Sequence, residues 1–353
     1  MKKLIFLLSV ALVISAFGVT EQITLWKNGD DGVASYRIPA MCLAPDGKTL
    51  VAVCDARQKH KGDVNTKQPI NIVCRRSTDG GKTWTDSEKV WDWPWTDNEH
   101  WAGSDPSLIV DEQTKTIFLF FNVWESVKAS GYYQYYVQSS TDNGATWSCP
   151  QNITESIKPQ GWAERGFIFI TSGSGCQMKD GTLLHTLVWV GNSVALFGST
   201  DHGETWKPYG NPTPERGDEC KVVELSDGTL MINARRSCGQ REIFTSKDKG
   251  VTWEHRSDKT LLDPACNAQL MKAGKMLLFS NCNSTGRSNL YVRTSFDEGQ
   301  TWNEGVCVEP GGAAYSDIAL MKNRKLGVIF EKNTPEYSSI CFCTLAPTEF
   351  TKK

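Results

Sequence analysis

The pattern Ser-x-Asp-x-Gly-x-Thr-Trp occurs five times in this chain, beginning at Ser77, Ser140, Ser199, Ser246 and Ser295. Each copy follows a short run rich in β-branched or aromatic residues, such as Tyr135-Tyr136-Val137 before the second copy and Leu290-Tyr291-Val292 before the fifth. These residue types together favour a strand that ends in a tight turn. The Asp carboxylate accepts bonds from turn N–H groups, and Gly takes a φ that residues with a Cβ resist. Trp buries a large apolar surface, and its indole N–H is expected to find a partner. Successive box serines lie 63, 59, 47 and 49 residues apart. That is the length of one four-stranded propeller blade with its loops, so the spacing predicts an all-β chain folded as a β-propeller.

Hairpin signals between the boxes agree. Pro45-Asp46-Gly47-Lys48, Lys179-Asp180-Gly181-Thr182, Ser226-Asp227-Gly228-Thr229 and Ala273-Gly274-Lys275 all separate apolar runs. No long stretch has helical periodicity. The segment from Tyr315 to Leu345 reads as three further strands without a box. With Ile23 to Trp26 as the fourth, the two chain ends close a six-bladed ring and no sheet edge is left open.

Residues 1–18 read as a secretory signal. Lys2 and Lys3 precede an apolar run from Leu4 to Phe17, with Ala16 and Gly18 at the small-residue cleavage positions. The rest, residues 19–353, reads as one catalytic propeller domain that is secreted or held at the cell surface. Twelve cysteines suit an oxidising compartment, and Cys220 with Cys238 and Cys266 with Cys282 flank equivalent hairpins, although pairing does not follow from sequence. Asn152-Ile153-Thr154 and Asn283-Ser284-Thr285 are glycosylation sequons. A formal net charge of −2 offers no basic stripe for nucleic acid. Without zinc spacing among Cys and His, or a Gly-rich loop opening a helix, no metal or nucleotide cofactor is expected.

The boxes occupy turns, so the chemistry is expected at the other rim. The informative words are Tyr36-Arg37-Ile38-Pro39, Asp55-Ala56-Arg57 with Asp63 behind it, Ser104-Asp105-Pro106-Ser107, and Asp218-Glu219 with Arg235. They continue with Arg287, Ala314-Tyr315-Ser316-Asp317 and Phe330-Glu331. Together with the boxes, which are the Asp boxes or BNR repeats of that family, this ordered set resembles the sialidase (neuraminidase) superfamily of bacterial and cellular type. The resemblance covers essentially the whole chain beyond residue 18.

The resemblance implies an exo-α-sialidase that removes terminal sialic acids from glycoproteins, glycolipids or oligosaccharides with retention of configuration. A sialic acid carries a carboxylate on its anomeric carbon, and guanidinium groups match it with planar two-pronged donors. Arg37, Arg235 and Arg287 match the family's clamp, with Arg293 the competitor for the third place. An anionic nucleophile beside that carboxylate would be repelled, and sialidases use a tyrosine instead. Tyr315 matches the nucleophile and Glu219 its base. Asp63 matches the acid/base for the leaving group, with Asp55 the alternative. Glu331 matches the carboxylate that orients Arg37, while Arg57 and Asp105 match contacts to the sugar's hydroxyl or N-acyl side. Tyr132, Tyr133, Tyr135 and Tyr136 are expected to pack within a strand. Trp91, Trp93, Trp95 and Trp101 are expected to pack between blades, and Trp124 and Trp162 either pack or line the pocket. Two other readings share the fold: a trans-sialidase, and a sialic-acid-binding lectin without turnover.

Overall fold

The computed structural model describes residues 19–92, 101–125, 133–162, 167–333 and 336–351. Residues 1–18, read from the sequence as a secretory signal, and Trp93, Trp95 and Tyr132 lie outside the described residues.

All five boxes form the same turn. One Asp oxygen accepts the Thr hydroxyl at 2.6 Å and the other accepts the Thr N–H. The box Ser hydroxyl donates to that carboxylate and accepts the Gly N–H. The box glycines take φ between 79° and 90°, which a side chain would strain. The Thr hydroxyl and N–H bonds hold Asp79 and Asp142 at about 2. Trp84 and Trp253 donate their indole N–H to the carbonyls of Gly81 and Asn211. Trp147, Trp206 and Trp302 find no such partner among the described residues, which corrects the expectation from sequence. Their burial is apolar: Trp206 meets Phe120 edge-on at 4.9 Å.

The chain is all-β. Seven strands run in the order Ile23–Lys27, Ser339–Leu345, Leu326–Lys332, Val306–Leu320, Ser288–Ser295, Met276–Cys282 and Gln269–Ala273. Cys220–Glu224, Leu230–Ala234, Gln240–Ser246 and Glu254–Leu262 form a separate meander. A larger sheet starts Ser35–Leu43, Leu50–Arg57, Ile70–Ser77 and continues through Trp101–Asp111, Thr116–Glu125 and Tyr133–Ser140. A fourth sheet is built around Leu183–Trp189 and Ser193–Ser199. The N-terminal strand pairs antiparallel with the C-terminal one, Ile23 opposite Phe342, as the sequence predicts. Groups of antiparallel strands meet on apolar clusters, one holding Val51 with Phe121 and another Leu25, Leu50 and Phe342. The arrangement is consistent with a β-propeller.

Three strands that begin such groups carry bulges at matching places. The register shifts between Arg37 and Ala40, between Ser104 and Ser107, and between Ala313 and Ser316. Ile38 and Asp105 hold positive φ of 56° and 57° there, each just before a proline. A bulge re-aims the side chains beside it. Here those side chains are Arg37, Asp105 and Tyr315.

All twelve cysteines are free thiols in the structure. Trp91 and Trp162 sit in apolar clusters, and Trp101 and Trp124 pack against them, so the described tryptophans of that group serve packing.

Candidate active site

A cavity of ≈ 340 Å³ opens where these strands converge, lined among others by Arg37, Asp63, Asp105, Glu219, Arg235, Arg287 and Tyr315. At its floor Tyr315 donates its hydroxyl to Glu219 Oε2 at 2.8 Å. Burial, and then the charge of Glu219, push the phenol well above its ordinary range, against the opposing pull of Arg235. The phenol is therefore neutral at rest and its proton already points at a carboxylate. Arg235 donates to that same Glu219 oxygen and, at 3.2 Å, to the Tyr315 hydroxyl. Its other side faces Asp218, 3.5 Å away.

Arg37 is held from behind. Its Nε donates to Glu331 Oε1 at 2.7 Å, and the Ile38 N–H donates to the same oxygen at 2.7 Å. The second Glu331 oxygen accepts the Tyr315 N–H at 3.3 Å. Glu331 is fully buried, so its carboxylate is committed to the bulges that carry Arg37 and Tyr315. Burial opposes the Arg37 charge, but the paired Glu331 outweighs it and the guanidinium stays protonated.

Arg287 donates to the Tyr337 hydroxyl at 2.8 Å and lies 5.5 Å from the Tyr315 ring centroid. Arg37 lies 3.6 Å from the centroid of the Tyr337 ring. Tyr337 thus fixes two cationic groups at once, by cation–π contact and by hydrogen bond. Arg293 is elsewhere: it donates to the Thr260 carbonyl at 2.7 Å and does not line the cavity.

The carboxylates opposite differ in exposure. The Asp63 side chain is 67% exposed and pairs with Arg57 at 2.5 Å. Arg57 is itself buried, pairs also with Asp55 at 3.1 Å, and does not line the cavity. Arg57 therefore stands behind Asp63. Burial pushes Asp55 up to about 6 despite Arg57 and the Ser104 hydroxyl. Asp105 lines the cavity, bonded to Asn122 at 3.2 Å, and burial with the charge of Asp55 raises its carboxyl well above the usual range.

Two cavity residues escape a reading of the sequence. Tyr133 packs in an apolar cluster as Tyr135 and Tyr136 do, and it also lines the cavity wall with Phe167 and Phe169. Nothing around Tyr133 distinguishes it from its neighbours except the strand phase that aims it inward. Tyr337 has no motif at all, being a lone tyrosine before the last strand.

A family model for the BNR repeat-like domain matches residues 48–328. A sialidase of Micromonospora viridifaciens is 35% identical over 349 residues, which cover 89% of this chain and 52% of that protein. A sialidase of Bacteroides fragilis is 32% identical over 344 residues, covering 86% of this chain and 61% of that protein. The chain thus spans little more than half the length of these relatives. Among solved structures, a Hadza microbial sialidase superposes with a TM-score of 0.83 at 28% identity, over 94% of this chain and 69% of that one. Five Asp-box turns, the matched domain and these relatives agree: the chain belongs to the BNR repeat-like family within the sialidase superfamily.

Proposed function

We propose that this protein is an exo-α-sialidase that hydrolyses terminal sialic acids from glycoproteins, glycolipids or oligosaccharides with retention of configuration. The observation that carries this reading is the 2.8 Å bond from the Tyr315 hydroxyl to Glu219, set among Arg37, Arg235 and Arg287 on one cavity wall. The three guanidinium groups bind the substrate carboxylate. Because the substrate is anionic at its reacting carbon, a neutral phenol approaches it where a carboxylate would be repelled. As Tyr315 attacks, its proton passes to Glu219 Oε2, and Arg235 steadies the charge on both oxygens. Asp63, exposed at the mouth, protonates the departing glycosidic oxygen and then takes a proton from the incoming water. Glu331 and Tyr337 hold Arg37 and Arg287 in place. Asp105 faces the sugar.

The finer architecture belongs to the same reading. The strand groups and the clusters between them support a ring of six blades, the last completed by Ile23–Lys27. The apolar run within residues 1–18 supports export to the cell surface or beyond.

A non-catalytic lectin would need the arginines alone, so the poised Tyr315–Glu219 pair favours turnover. The test is release of fluorophore from the α-sialoside of 4-methylumbelliferone, with the anomer first formed read by NMR. Release with an α-configured first product supports the reading. Absence of release, or a β first product, overturns it. Repeating the assay with lactose present separates hydrolysis from transfer to an acceptor.

A further inference from the structure

Directly beneath the Tyr315–Glu219 pair lies a second pair of ionisable groups that the mechanism above does not use. Lys221 follows Glu219 by two residues and Asp317 follows Tyr315 by two, and both are at most 1% exposed. Space for them depends on Gly173, whose φ is 98°: a Cβ there would come within 2.7 Å of Lys221 Cε and 3.8 Å of Asp317 Oδ2. Asp317 spends its oxygens on the N–H groups of Met41, at 2.9 Å, and Ile318, at 2.7 Å. No carboxylate lies within ion-pairing distance of the Lys221 ammonium among the described residues.

A buried ammonium with no direct counter-ion is costly, and here one of its bonds begins a series that leads to Glu219. Lys221 Nζ donates to Asn267 Oδ1 at 2.9 Å and, at 3.3 Å, to the Cys220 carbonyl. The Asn267 amide donates in turn to the Ser172 hydroxyl at 3.1 Å, and that hydroxyl donates to Glu219 Oε1 at 3.4 Å. Lys221, Asn267, Ser172 and Glu219 are all buried. Every donor in the series faces Glu219, on the oxygen not used by Tyr315 and Arg235. Donor chains of one polarity strengthen link by link in a medium of low dielectric constant.

We propose that Lys221 is a positioning residue for the nucleophile pair, its ammonium acting through Asn267 and Ser172 to keep Glu219 in the carboxylate form that receives the Tyr315 proton. This rests on the sialidase reading. The other charged or titratable groups facing Lys221 are Glu219 and the Cys220 thiol on its own segment, Asp317 from Val306–Leu320, Arg241 from Gln240–Ser246 and His185 from Leu183–Trp189. Burial pushes the Lys221 ammonium down to about 8 and raises Asp317 to about 7, so the layer responds to pH near neutrality.

The experiment compares Lys221→Met, similar in shape and uncharged, and Ser172→Ala with the unaltered protein, reading kcat and KM on the fluorogenic α-sialoside across pH. Removing a positive charge favours the protonated carboxyl, so the acidic limb of the Lys221→Met kcat profile moves up by about one pH unit and kcat at the optimum falls about tenfold. KM changes little, because the arginine clamp is untouched. Ser172→Ala shifts the limb in the same direction by less. A Lys221→Met profile that superimposes on the unaltered one overturns the inference. If that variant does not fold, an unshifted Ser172→Ala limb does so. An unaltered protein that releases no fluorophore overturns instead the functional reading, and this inference falls with it.

Discussion

An Asp box and the cavity floor use the same materials, a carboxylate, hydroxyl donors and an aromatic ring, at opposite ranges of sequence. The box carboxylate bonds to residues within four positions of itself, as Asp201 does to Ser199 and Thr205. Glu219 bonds to Tyr315 across 96 positions, and Arg37 to Glu331 across 294. A box can form as soon as its strand ends. The cavity floor exists only after strands far apart in the chain have come together, because Tyr315 and Arg37 sit beside bulges in two sheets and Glu219 just before the first strand of a third. The electrostatic result differs too. Thr205 and Ser199 bonds hold the box Asp201 at about 2, whereas burial drives Asp55 to about 6 and Asp317 to about 7. Local turns stabilise a charge in near-solvent, while the centre holds ionisable groups where ionisation is expensive. Such groups mark functional sites more often than structural ones.

The sharpest way to break this contrast is to remove hydrogen-bonding oxygen from each region in turn. Tyr315→Phe leaves the ring and the three arginines in place but deletes the hydroxyl that Glu219 and Arg235 hold. It is expected to lower kcat by about 10³-fold or more, with binding of sialic acid retained. The measurement is steady-state turnover beside isothermal titration with the free sugar. Near-normal turnover with a retained product would remove Tyr315 from the mechanism.

Next in size is the clamp. Arg287→Lys exchanges a planar fork bonded to Tyr337 for a point charge, and is expected to reduce kcat/KM by about 2–5 kcal/mol of transition-state binding. Arg293→Lys, outside the cavity, is expected to leave kcat/KM nearly unchanged. The reverse order would mean that the cavity wall is not the carboxylate site.

Asp63 sharpens the comparison from within the site, since it is exposed where Glu219 is buried. A phenol departs without a proton more readily than a sugar alcohol does, so Asp63→Ala is expected to lose about 10²-fold or more on sialyllactose and much less on the methylumbelliferyl sialoside. Equal losses on both would assign Asp63 to binding and direct attention to Asp55.

What could be read from the sequence follows the same division. The five boxes were legible because each is complete within eight residues, and the closing pair of Ile23–Lys27 with Ser339–Leu345 because both ends of the chain read as unpartnered strands. Arg37, Glu219, Arg235, Arg287 and Tyr315 were found as words in a known order, and the preference for Arg287 over Arg293 agrees with their places relative to the cavity. Tyr133 and Tyr337 were not found as cavity residues, since what brings them to the site is the partners that the fold sets beside them, Phe167 and Phe169 for the one and Arg37 and Arg287 for the other. Glu331 holds Arg37 as its place in the resemblance implies, whereas the pairing of buried Arg57 with Asp63 and Asp55 has no local sign in the sequence. The indole N–H groups of Trp147, Trp206 and Trp302 depend on what each blade places against its neighbour, and sequence carries no sign of that.

The smallest expected effect tests the box side alone. Asp201→Ala removes the acceptor for the Thr205 N–H, the Thr205 hydroxyl and the Ser199 hydroxyl, all near the surface. Exposure lets water replace part of what is lost, so the cost is about 1–2 kcal/mol of unfolding free energy. Its dependence on pH has a definite sign. The folded carboxyl is held at about 2, below its unfolded value near ~3.9, so its contribution is present above that value and disappears as pH falls toward 2. Urea unfolding at several pH values is therefore expected to show the unaltered protein more stable than the variant by a constant margin above about pH 5, with the two converging in acid. Turnover per folded molecule should be unchanged at neutral pH, because no bond of this box reaches the cavity. A margin that grows in acid would contradict the depressed carboxyl. A loss of turnover without a loss of stability would show that box and cavity are coupled, and that the contrast between local and assembled parts fails.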